Sequence, residues 1–265
     1  MSKHAKITIL GCGNSTGVPA IGNYWGDCDP NEPKNNRTRC SIAIKTPETT
    51  IIVDTGPNFR EQINRENIKK IDGVLYSHMH SDHVHGIDEL RVVKFRNKTR
   101  VPIYGNKETL DDLKHRFDYL FKGGRNELYP PILETFELNE QHFNRKQQFN
   151  DIDFTPFEQD HGTIKSVGYR FGDCAYSVDI LNLDKKAINV LKGINTWIVD
   201  AAAYKKNDSL VHAGIKRIYE LNDQINAQDV ILTSLSLTMD YKILTNELKE
   251  GYRAAYDGLN LKISL

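Results

Sequence analysis

The feature that most constrains the fold is a cluster of histidines directly after an apolar strand. Four of the nine histidines fall in the run Tyr76-Ser77-His78-Met79-His80-Ser81-Asp82-His83-Val84-His85-Gly86. Residues two apart in an extended segment point to the same side, so His78 and His80 are expected to face one metal ion. Asp82 and His83 then open a helix and point to a neighbouring position. Because imidazole and carboxylate groups suit zinc, manganese or iron, this strand-to-helix loop predicts a metal site.

The rest of the chain predicts an α/β protein with mixed sheets, because short strand patterns alternate with helical ones. The predicted strands are 6–10, 41–45, 50–53, 74–76, 175–178, 196–199 and 230–233, with strand-like character over 133–172. The predicted helices are 58–67, 84–93, 109–120, 185–191, 212–221 and 241–248. No repeat, low-complexity segment or flexible linker divides the chain, so residues 1–265 are expected to form one domain.

Charge and composition argue against two broad classes of partner. Lys plus Arg is 35 and Asp plus Glu is 35, so the bulk charge predicts no general grip on nucleic acid or on an anionic membrane. No apolar stretch approaches the roughly 18 residues of a membrane span, and the first residues lack the pattern of a signal peptide. The four cysteines form no C-x-x-C pair and are interpreted as reduced thiols, which favours a cytoplasmic location.

The histidine run matches the signature H-x-H-x-D-H of the metallo-β-lactamase superfamily, and other motifs resemble one branch of it. These motifs are Ile9-Leu10-Gly11-Cys12-Gly13, Gly17-Val18-Pro19, Trp25-Gly26-Asp27-Cys28-Asp29-Pro30, Asn36-Arg37-Thr38-Arg39-Cys40-Ser41, Val53-Asp54-Thr55-Gly56 and Ala255-Tyr256-Asp257-Gly258. Together they resemble the PhnP-like phosphodiesterases that accompany carbon–phosphorus lyase, with ribonuclease Z as a more distant relative. The resemblance covers nearly the whole chain and implies an αββα sandwich, in which two mixed β-sheets are flanked by helices.

The resemblance also implies two metal sites that share one carboxylate. The implied ligands are His78, His80 and His161 for the first metal, Asp82 and His83 for the second, and Asp179 bridging both. Asp54 resembles a buried residue that orients the histidine loop by hydrogen bonds. Asp82 and His212 are the predicted catalytic residues, with His212 contacting the scissile phosphate or assisting the leaving group. The alternative for His212 is an ordinary surface histidine at the start of a helix.

One metal ligand of the family is missing from this chain. The family has a final histidine after a late strand, just before a helix that opens with Asp-Tyr, whereas this chain has no histidine after His212. Ser234 or Ser236 occupies the expected place, and a neutral hydroxyl is a poor substitute for imidazole. Two divalent ions, zinc or manganese, are therefore expected, with the second site weak or empty.

The N-terminal loop departs from the family as well. Some relatives hold a structural zinc there with several cysteines, but this loop keeps only Cys28, and one thiolate cannot build a tetrahedral site. No structural zinc and no organic cofactor are expected. The glycine-rich run 11–17 lacks the ending of a phosphate-binding P-loop and is expected to supply backbone amides at most. The basic residues are interpreted mainly as solvated charges, with binding of substrate phosphate or RNA as the alternative; they are Lys34, Arg37, Arg39, Arg91, Lys94 and Arg96.

The implied function is that of a metal-dependent phosphodiesterase, in which a metal-activated hydroxide attacks a small or cyclic phosphodiester with a ribosyl or nucleotide-like group. Two alternatives remain open: a nuclease similar to ribonuclease Z, and a metal-binding relative whose catalysis is weakened by the loss of the last histidine. The chain has no long basic, glycine-rich insertion for gripping transfer RNA, so nucleic acid is the less favoured partner. Relatives are often dimers, which makes a homodimer an assembly to test.

Overall fold

The chain folds into two large sheets in the computed structural model, which describes residues 3–123, 129–206 and 208–265. Within these ranges each sheet has seven strands. The first sheet is formed by β1 (His4–Gly11), β2 (Ser41–Lys45), β3 (Thr50–Val53), β4 (Gly73–Leu75), β5 (Val101–Gly105), β6 (Leu133–Glu137) and β14 (Asn260–Ser264). The second sheet is formed by β7 (Gln147–Phe149), β8 (Ile152–His161), β9 (Ile164–Phe171), β10 (Cys174–Ser177), β11 (Thr196–Asp200), β12 (Asp229–Thr233) and β13 (Tyr252–Ala254).

Both sheets are mixed, and they repeat the same pattern of pairing. The strand order is β14-β1-β2-β3-β4-β5-β6 in the first sheet and β13-β12-β11-β10-β9-β8-β7 in the second. In each sheet the first three pairs are antiparallel and the next three are parallel, counted from β14 and from β7. The strands β3 and β10 therefore occupy equivalent positions, at the change from antiparallel to parallel pairing.

The helices lie between and beside the strands. They are α1 (Phe59–Arg65), α2 (Ser81–Val84), α3 (Leu90–Asn97), α4 (Lys107–Arg116), α5 (Asp118–Lys122), α6 (Lys185–Leu191), α7 (Ile215–Ile225) and α8 (Tyr241–Glu247). Three of them begin at a side chain that accepts a hydrogen bond from the first turn: Asn106 before α4, Asp184 before α6 and Asp240 before α8. Among the described residues, no helix is long and apolar enough to cross a membrane.

The main hydrophobic core lies between the two sheets. Alternate residues of the first sheet, such as Ile42 and Val53, pack with Tyr169 and Tyr176 of the second, and all four are almost completely buried. The hydroxyl of Tyr169 donates to the carbonyl of Tyr76 at 2.7 Å and so links the sheets directly. The opposite face of the first sheet packs against α1, α3 and α4 in a separate cluster. Burial on both faces explains the continuous apolar runs Ile42-Ala43-Ile44 in β2 and Ile51-Ile52-Val53 in β3.

The predicted strands 41–45 and 50–53 and the predicted helix 185–191 agree with β2, β3 and α6. The predicted helix 84–93 is wrong as one piece: α2 ends at Val84, a short 3-10 helix spans Ile87–Glu89, and α3 begins at Leu90. The break lies at Gly86, where a Cβ would come within 2.3 Å of the Gly56 carbonyl oxygen. This close approach places the histidine loop directly against the segment after β3.

Two other predicted helices have different bounds, and three strands were missed. The predicted helix 109–120 divides into α4 and α5 at Phe117, whose φ of −122° and ψ of 37° are not helical. The predicted helix 212–221 begins only at Ile215, because Gly214 has an extended backbone, so His212 lies in a loop. The strands β5, β13 and β14 were not predicted; β13 and β14 carry several polar residues and show no clear apolar run.

Candidate metal centre

The histidine loop follows β4 and leads into α2. His78 is completely buried, whereas His80 is exposed and has the extended backbone of the residue before a helix, with φ −62° and ψ 149°. His78 Nε2 and His80 Nδ1 are 2.9 Å apart, so the two imidazoles converge on one point. Asp82 and His83 lie in the first turn of α2. The structure therefore agrees with the sequence prediction that His78 and His80 point to the same side and that Asp82 and His83 open the following helix.

Two distant residues join the first pair of histidines. His161 is the last residue of β8, and Asp179 follows β10. His78 Nε2 and His161 Nε2 lie 3.4 and 3.3 Å from Asp179 Oδ2. One donor atom from each of His78, His80, His161 and Asp179 lies within 4.8 Å of the others, which defines the first donor set. Three imidazoles and one carboxylate at this spacing fit a divalent metal ion.

A second donor set lies on the other side of Asp179. His83 Nε2 is 3.3 Å from Asp82 Oδ2 and 3.5 Å from Asp179 Oδ1. Asp179 thus presents Oδ2 to the first donor set and Oδ1 to the second, which is formed by Asp82, His83 and Asp179. A carboxylate with one oxygen toward each set is suited to bridge two cations. The structure therefore brings together all six side chains that the resemblance implied as metal ligands.

The ring orientations of the donor histidines are fixed by groups behind them. Buried Asp54 accepts hydrogen bonds from the Ser77 amide and hydroxyl, both at 2.7 Å, and its Oδ2 is 2.7 Å from His83 Nδ1. His161 Nδ1 is 2.8 Å from the carbonyl oxygen of Val211, which accepts its proton. When Nδ1 carries the proton, Nε2 keeps its lone pair for a metal. Asp54 therefore lies where a residue that orients the histidine loop is expected.

The charges of the site favour a cation. Burial, with the nearby His83 as a second cause, lowers the pKa of His78 to about 4, so this imidazole is neutral as a metal ligand must be. Burial opposes ionisation of Asp179, but His83 and His78 hold the pKa of this carboxyl well below its ordinary value. Burial also opposes protonation of His83, yet the surrounding carboxylates of Asp179, Asp82 and Asp54 raise its pKa. Two of these carboxylates, those of Asp82 and Asp179, line the cavity, and a divalent ion can neutralise their charge.

The sequence left Ser234 and Ser236 as the two candidates for the place of the family's last histidine. Ser234 follows β12, is buried, and lines the same cavity as His83 and Asp179. Its hydroxyl lies 3.3 Å from the Cys40 thiol. Ser236 does not line this cavity; its hydroxyl contacts the Thr238 hydroxyl at 3.0 Å. Of these two serines, Ser234 is therefore the one that lines the cavity of the donor sets.

His212 lies at the edge of the centre with a partner that sequence reasoning missed. His212 Nδ1 is 2.7 Å from Oδ2 of the buried Asp200, which ends β11. Burial works against protonation of His212, but the Asp200 carboxylate raises its pKa to about 9. The sequence did contain a signal for Asp200: it follows the apolar run of β11 as Asp54 follows the apolar run of β3. His212 is therefore half-buried and paired with a carboxylate, beside the donor sets.

The cavity around these groups has a volume of about 280 Å³. Gly13, Asn14 and Ser15 of the glycine-rich run line it, which agrees with a position at the rim of the site.

The basic residues singled out in the sequence differ in their surroundings. Arg37 is buried and donates to the Ser236 carbonyl at 3.3 Å, so it is not a solvated charge. Arg39 donates to the Ser15 carbonyl at 3.2 Å and holds this rim in place.

Other residues singled out in the sequence lie outside the centre. Arg91, Lys94 and Arg96 belong to α3 and do not line this cavity. Cys28 is buried, and its thiol lies 3.5 Å from the carbonyl oxygen of Leu237 and 3.9 Å from Nη1 of Arg37. Direct polar contacts of this kind connect the N-terminal loop to the segment after β12.

Comparison with protein families identifies the class. Residues 49–233 match the family model described as the β-lactamase superfamily domain. This match covers more than half of the chain, and the two mixed sheets flanked by helices are the fold that the sequence implied. The chain therefore belongs to the metallo-β-lactamase superfamily.

A solved structure places the chain more narrowly. A diphosphatase from the PhnP family superposes with a TM-score of 0.88 and 30% sequence identity, over 100% of this chain and 99% of that one. This likeness extends over the full length of both chains. The predicted PhnP-like branch and the αββα fold are thus confirmed.

Curated relatives show a wider range of names. An octanoyltransferase from Porphyromonas gingivalis is 30% identical over 96% of this chain and 51% of its own length. A ribonuclease Z from Methanococcus maripaludis is 27% identical over 52% of this chain and 44% of its own length. The chain thus spans about half the length of these curated relatives. Diphosphatase and ribonuclease Z are both names of hydrolases, which is the class of enzyme that the sequence predicts for this chain.

Proposed function

We propose that the chain is a metal-dependent phosphodiesterase for a small or cyclic phosphodiester with a ribosyl or nucleotide-like group. The observation that carries this proposal is the pair of donor sets that meet at Asp179, beside His212 in one cavity. Divalent ions bound there would supply Lewis acidity, lower the pKa of a bound water and offset charge on the phosphoryl oxygens. We treat residues 1–265 as one domain, because both sheets contribute donors and share one core.

The chain's own groups hold and orient these ions. His78, His80 and His161 would present neutral nitrogens to the first ion, and Asp82 and His83 would bind the second. Asp179 would bridge the two through its separate oxygens. Asp54 would keep the proton of the His83 ring on Nδ1, and the Val211 carbonyl would do the same for the His161 ring. The second set has three protein ligands because Ser234 replaces the last histidine, so its ion is the more weakly bound.

His212 is proposed to act on the substrate rather than on a metal. Its Nδ1 donates a hydrogen bond to the Asp200 carboxylate, which leaves Nε2 as the ring nitrogen available to a ligand in the cavity. A proton held on Nε2 can be donated to a phosphoryl oxygen or to the departing oxygen of the ester. Asp200 is then a positioning residue, because it fixes the ring and favours its protonated form without touching the substrate.

A nuclease is the second candidate, and the matches to ribonuclease Z are the observation that favours it. A nuclease of this kind would cleave a precursor transfer RNA and leave small esters intact. Parallel assays of a precursor transfer RNA and bis(4-nitrophenyl) phosphate separate the two candidates. Cleavage of the small ester supports the phosphodiesterase, and cleavage of the RNA alone overturns it.

The experiment for the proposed function compares two histidines of the same loop. His80→Ala removes a donor of the first set, so metal-dependent hydrolysis of bis(4-nitrophenyl) phosphate is expected to be lost. His85→Ala is the matched control, because His85 is exposed and contacts Arg116 instead of the donor sets. This control is expected to keep its activity. Full activity in the His80→Ala variant would overturn the proposal.

A further inference from the structure

A groove between α1 and α3 lies apart from the candidate metal centre. We call it the α1–α3 groove, and its volume is about 180 Å³. Helix α1 forms one side, and the other side carries Glu89, Val92, Val93 and Arg96. These four recur at a spacing of three and four residues and so share one face of the helix. Among the described residues, none lines both this groove and the cavity of the metal centre.

The groove has an apolar lining that is open to solvent. Phe59 and Ile71 of this lining are buried, whereas Ile63, Ile68 and Val93 are only half-buried. A cavity of roughly 150 Å³ is large enough for a benzene ring, so the groove can hold one aliphatic or aromatic side chain.

The outer surface of α3 extends this apolar area. Val92 is 55% exposed and Phe95 is 65% exposed. They are three residues apart on the helix and therefore lie on the same side of it. Apolar surface that solvent reaches and that polar groups surround is typical of interaction sites. Val92 and Phe95 thus indicate that α3 contacts a partner at the groove.

Three cationic side chains surround the apolar lining. Arg60, Lys69 and Arg96 line the groove and are exposed, and within the described ranges none of them has an ion pair. Glu89 is the one carboxylate among the described residues that line the groove. The charge of the groove is therefore positive on balance, and three cations remain for an anionic partner.

We propose that the α1–α3 groove docks an acidic segment of a partner protein. One aliphatic or aromatic side chain of this segment fills the apolar part of the groove, and carboxylates beside it bind Arg60, Lys69 and Arg96. Guanidinium groups bind carboxylates through paired hydrogen bonds, and a buried apolar anchor supplies much of the affinity of such a contact. The complementary charge favours an acidic segment over a neutral or basic one.

The shape of the lining favours a peptide over a nucleic acid. Single-stranded nucleic acids bind proteins by stacking their bases on flat aromatic faces. The half-buried side chains Ile63, Ile68 and Val93 are branched and aliphatic and offer no such face. The aromatic residue of the lining is Phe59, which is only 2% exposed. An apolar side chain of a peptide therefore fits the groove better than a base does.

The first test asks which peptides the groove selects. A library of random peptides displayed on phage is depleted on the double variant R60E/R96E and then selected on the wild-type protein. The depletion removes peptides that bind elsewhere on the surface. The selected peptides are expected to carry aspartate or glutamate beside at least one large apolar residue. No enriched peptide, or enriched peptides without carboxylates, overturns the inference.

The second test measures the charge contribution by fluorescence anisotropy of a labelled selected peptide. The Kd is expected to be at least about tenfold higher for R60E/R96E than for the wild type. The double variant K6E/K45E is the matched control, because it makes the same charge change at two exposed lysines that face each other on β1 and β2, outside the groove. Equal affinities in the two variants overturn the inference.

The third test measures the apolar contribution with the same peptide. Val92→Glu places a carboxylate at the apolar lining and is expected to weaken binding at least about tenfold. Ile243→Glu on α8 is the matched control, because Ile243 is also 55% exposed and lies outside the groove. The control is expected to bind like the wild type. Equal affinities of the Val92→Glu variant and this control contradict the placement of the peptide in the groove.

Two other occupants are tested in parallel. Labelled polyuridylate that binds more tightly than the peptide, and whose binding R60E/R96E abolishes, would assign the groove to nucleic acid. A dimer of the wild type in analytical ultracentrifugation that Val92→Glu dissociates would assign the groove to a second copy of the chain. Either result overturns the inference. All of these measurements are of binding, so their outcome does not depend on whether the chain hydrolyses phosphodiesters.

Discussion

Asp200 Oδ2 lies 2.7 Å from His212 Nδ1, and backbone donors hold the carboxylate there independently of the histidine. The amide of Ala202 donates to Oδ1 at 2.7 Å, and the amide of Ile180 donates to Oδ2 at 3.2 Å. Burial alone would favour neutral His212, but the carboxylate raises the pKa of His212 to about 9. The imidazole of His212 is therefore expected to be protonated at neutral pH.

Asp200→Asn is expected to lower the pKa of His212 toward its ordinary value of about 6.5, because the charge that favours the imidazolium is removed. Hydrolysis at pH 8 is expected to fall about 10²-fold, the size typical of a lost proton donor. A titration of the His212 ring by nuclear magnetic resonance in the metal-stripped protein measures the shift. Asp208→Asn changes an exposed carboxylate of the same loop and serves as the control. An unchanged pKa in Asp200→Asn would contradict this account of the pair.

Ser234→His is expected to strengthen the second metal site by restoring an imidazole beside His83 and Asp179. Ser234 has a left-handed backbone, with φ 55°, a region in which histidine is among the better tolerated residues. Metal content after dialysis is expected to rise from one retained ion per chain toward two. Ser236→His is the matched control, because Ser236 lies outside the cavity, and it is expected to retain the wild-type content. Two tightly retained ions in the wild type would contradict this expectation, because they would show that a serine at position 234 does not weaken binding of the second ion.

Asp54→Ala is expected to reduce both stability and metal affinity. It leaves the Ser77 amide, the Ser77 hydroxyl and His83 Nδ1 without their buried acceptor. The free energy of unfolding is expected to fall by about 2–4 kcal/mol, and metal affinity by about 10–100-fold. Urea unfolding and a metal titration measure the two effects. Asp88→Ala removes an exposed carboxylate and is expected to change stability by less than about 0.5 kcal/mol. Similar values for the two variants would contradict the role of Asp54.

The four thiols are expected to resist modification in the folded protein. All four cysteines are free and buried, and burial raises the pKa of each thiol, that of Cys40 to about 12. Because the thiolate is the reactive form, 5,5′-dithiobis(2-nitrobenzoate) at pH 8 is expected to modify them only slowly. Rapid reaction of all four is expected after denaturation. A thiol that reacts rapidly in the folded protein would contradict the burial of its cysteine.

Much of the candidate site could be read from the sequence because its central residues are close together in the chain. The order His78, His80, Asp82, His83 follows from a strand end and a helix start, so spacing alone brings these side chains to one place. His161 and Asp179 depend on pairing between distant strands, and only the family resemblance suggested them. Asp200 was missed because a single carboxylate at a strand end gives no indication of the histidine that it contacts.

One structural relationship was not accessible to sequence reasoning at all. Asp54 and Asp179 follow the equivalent strands β3 and β10, and both have left-handed backbones, with φ 64° and 48°. Aspartate tolerates this conformation better than most residues. Each sheet thus delivers one carboxylate to the centre at the same topological point. The two sheets share the same order of antiparallel and parallel strand pairs, and short-range sequence patterns do not reveal such pairing.

The most direct measurement is hydrolysis of a chromogenic phosphodiester by metal-stripped protein, titrated separately with manganese and with zinc. We expect no hydrolysis without metal and a saturable rise in rate as metal is added, because ions at the donor sets around Asp179 would supply the Lewis acidity for the reaction. A metal that binds tightly to the first donor set and produces no hydrolysis at any concentration would contradict the account. That result would identify the chain as a metal-binding relative that lost catalysis with its last histidine.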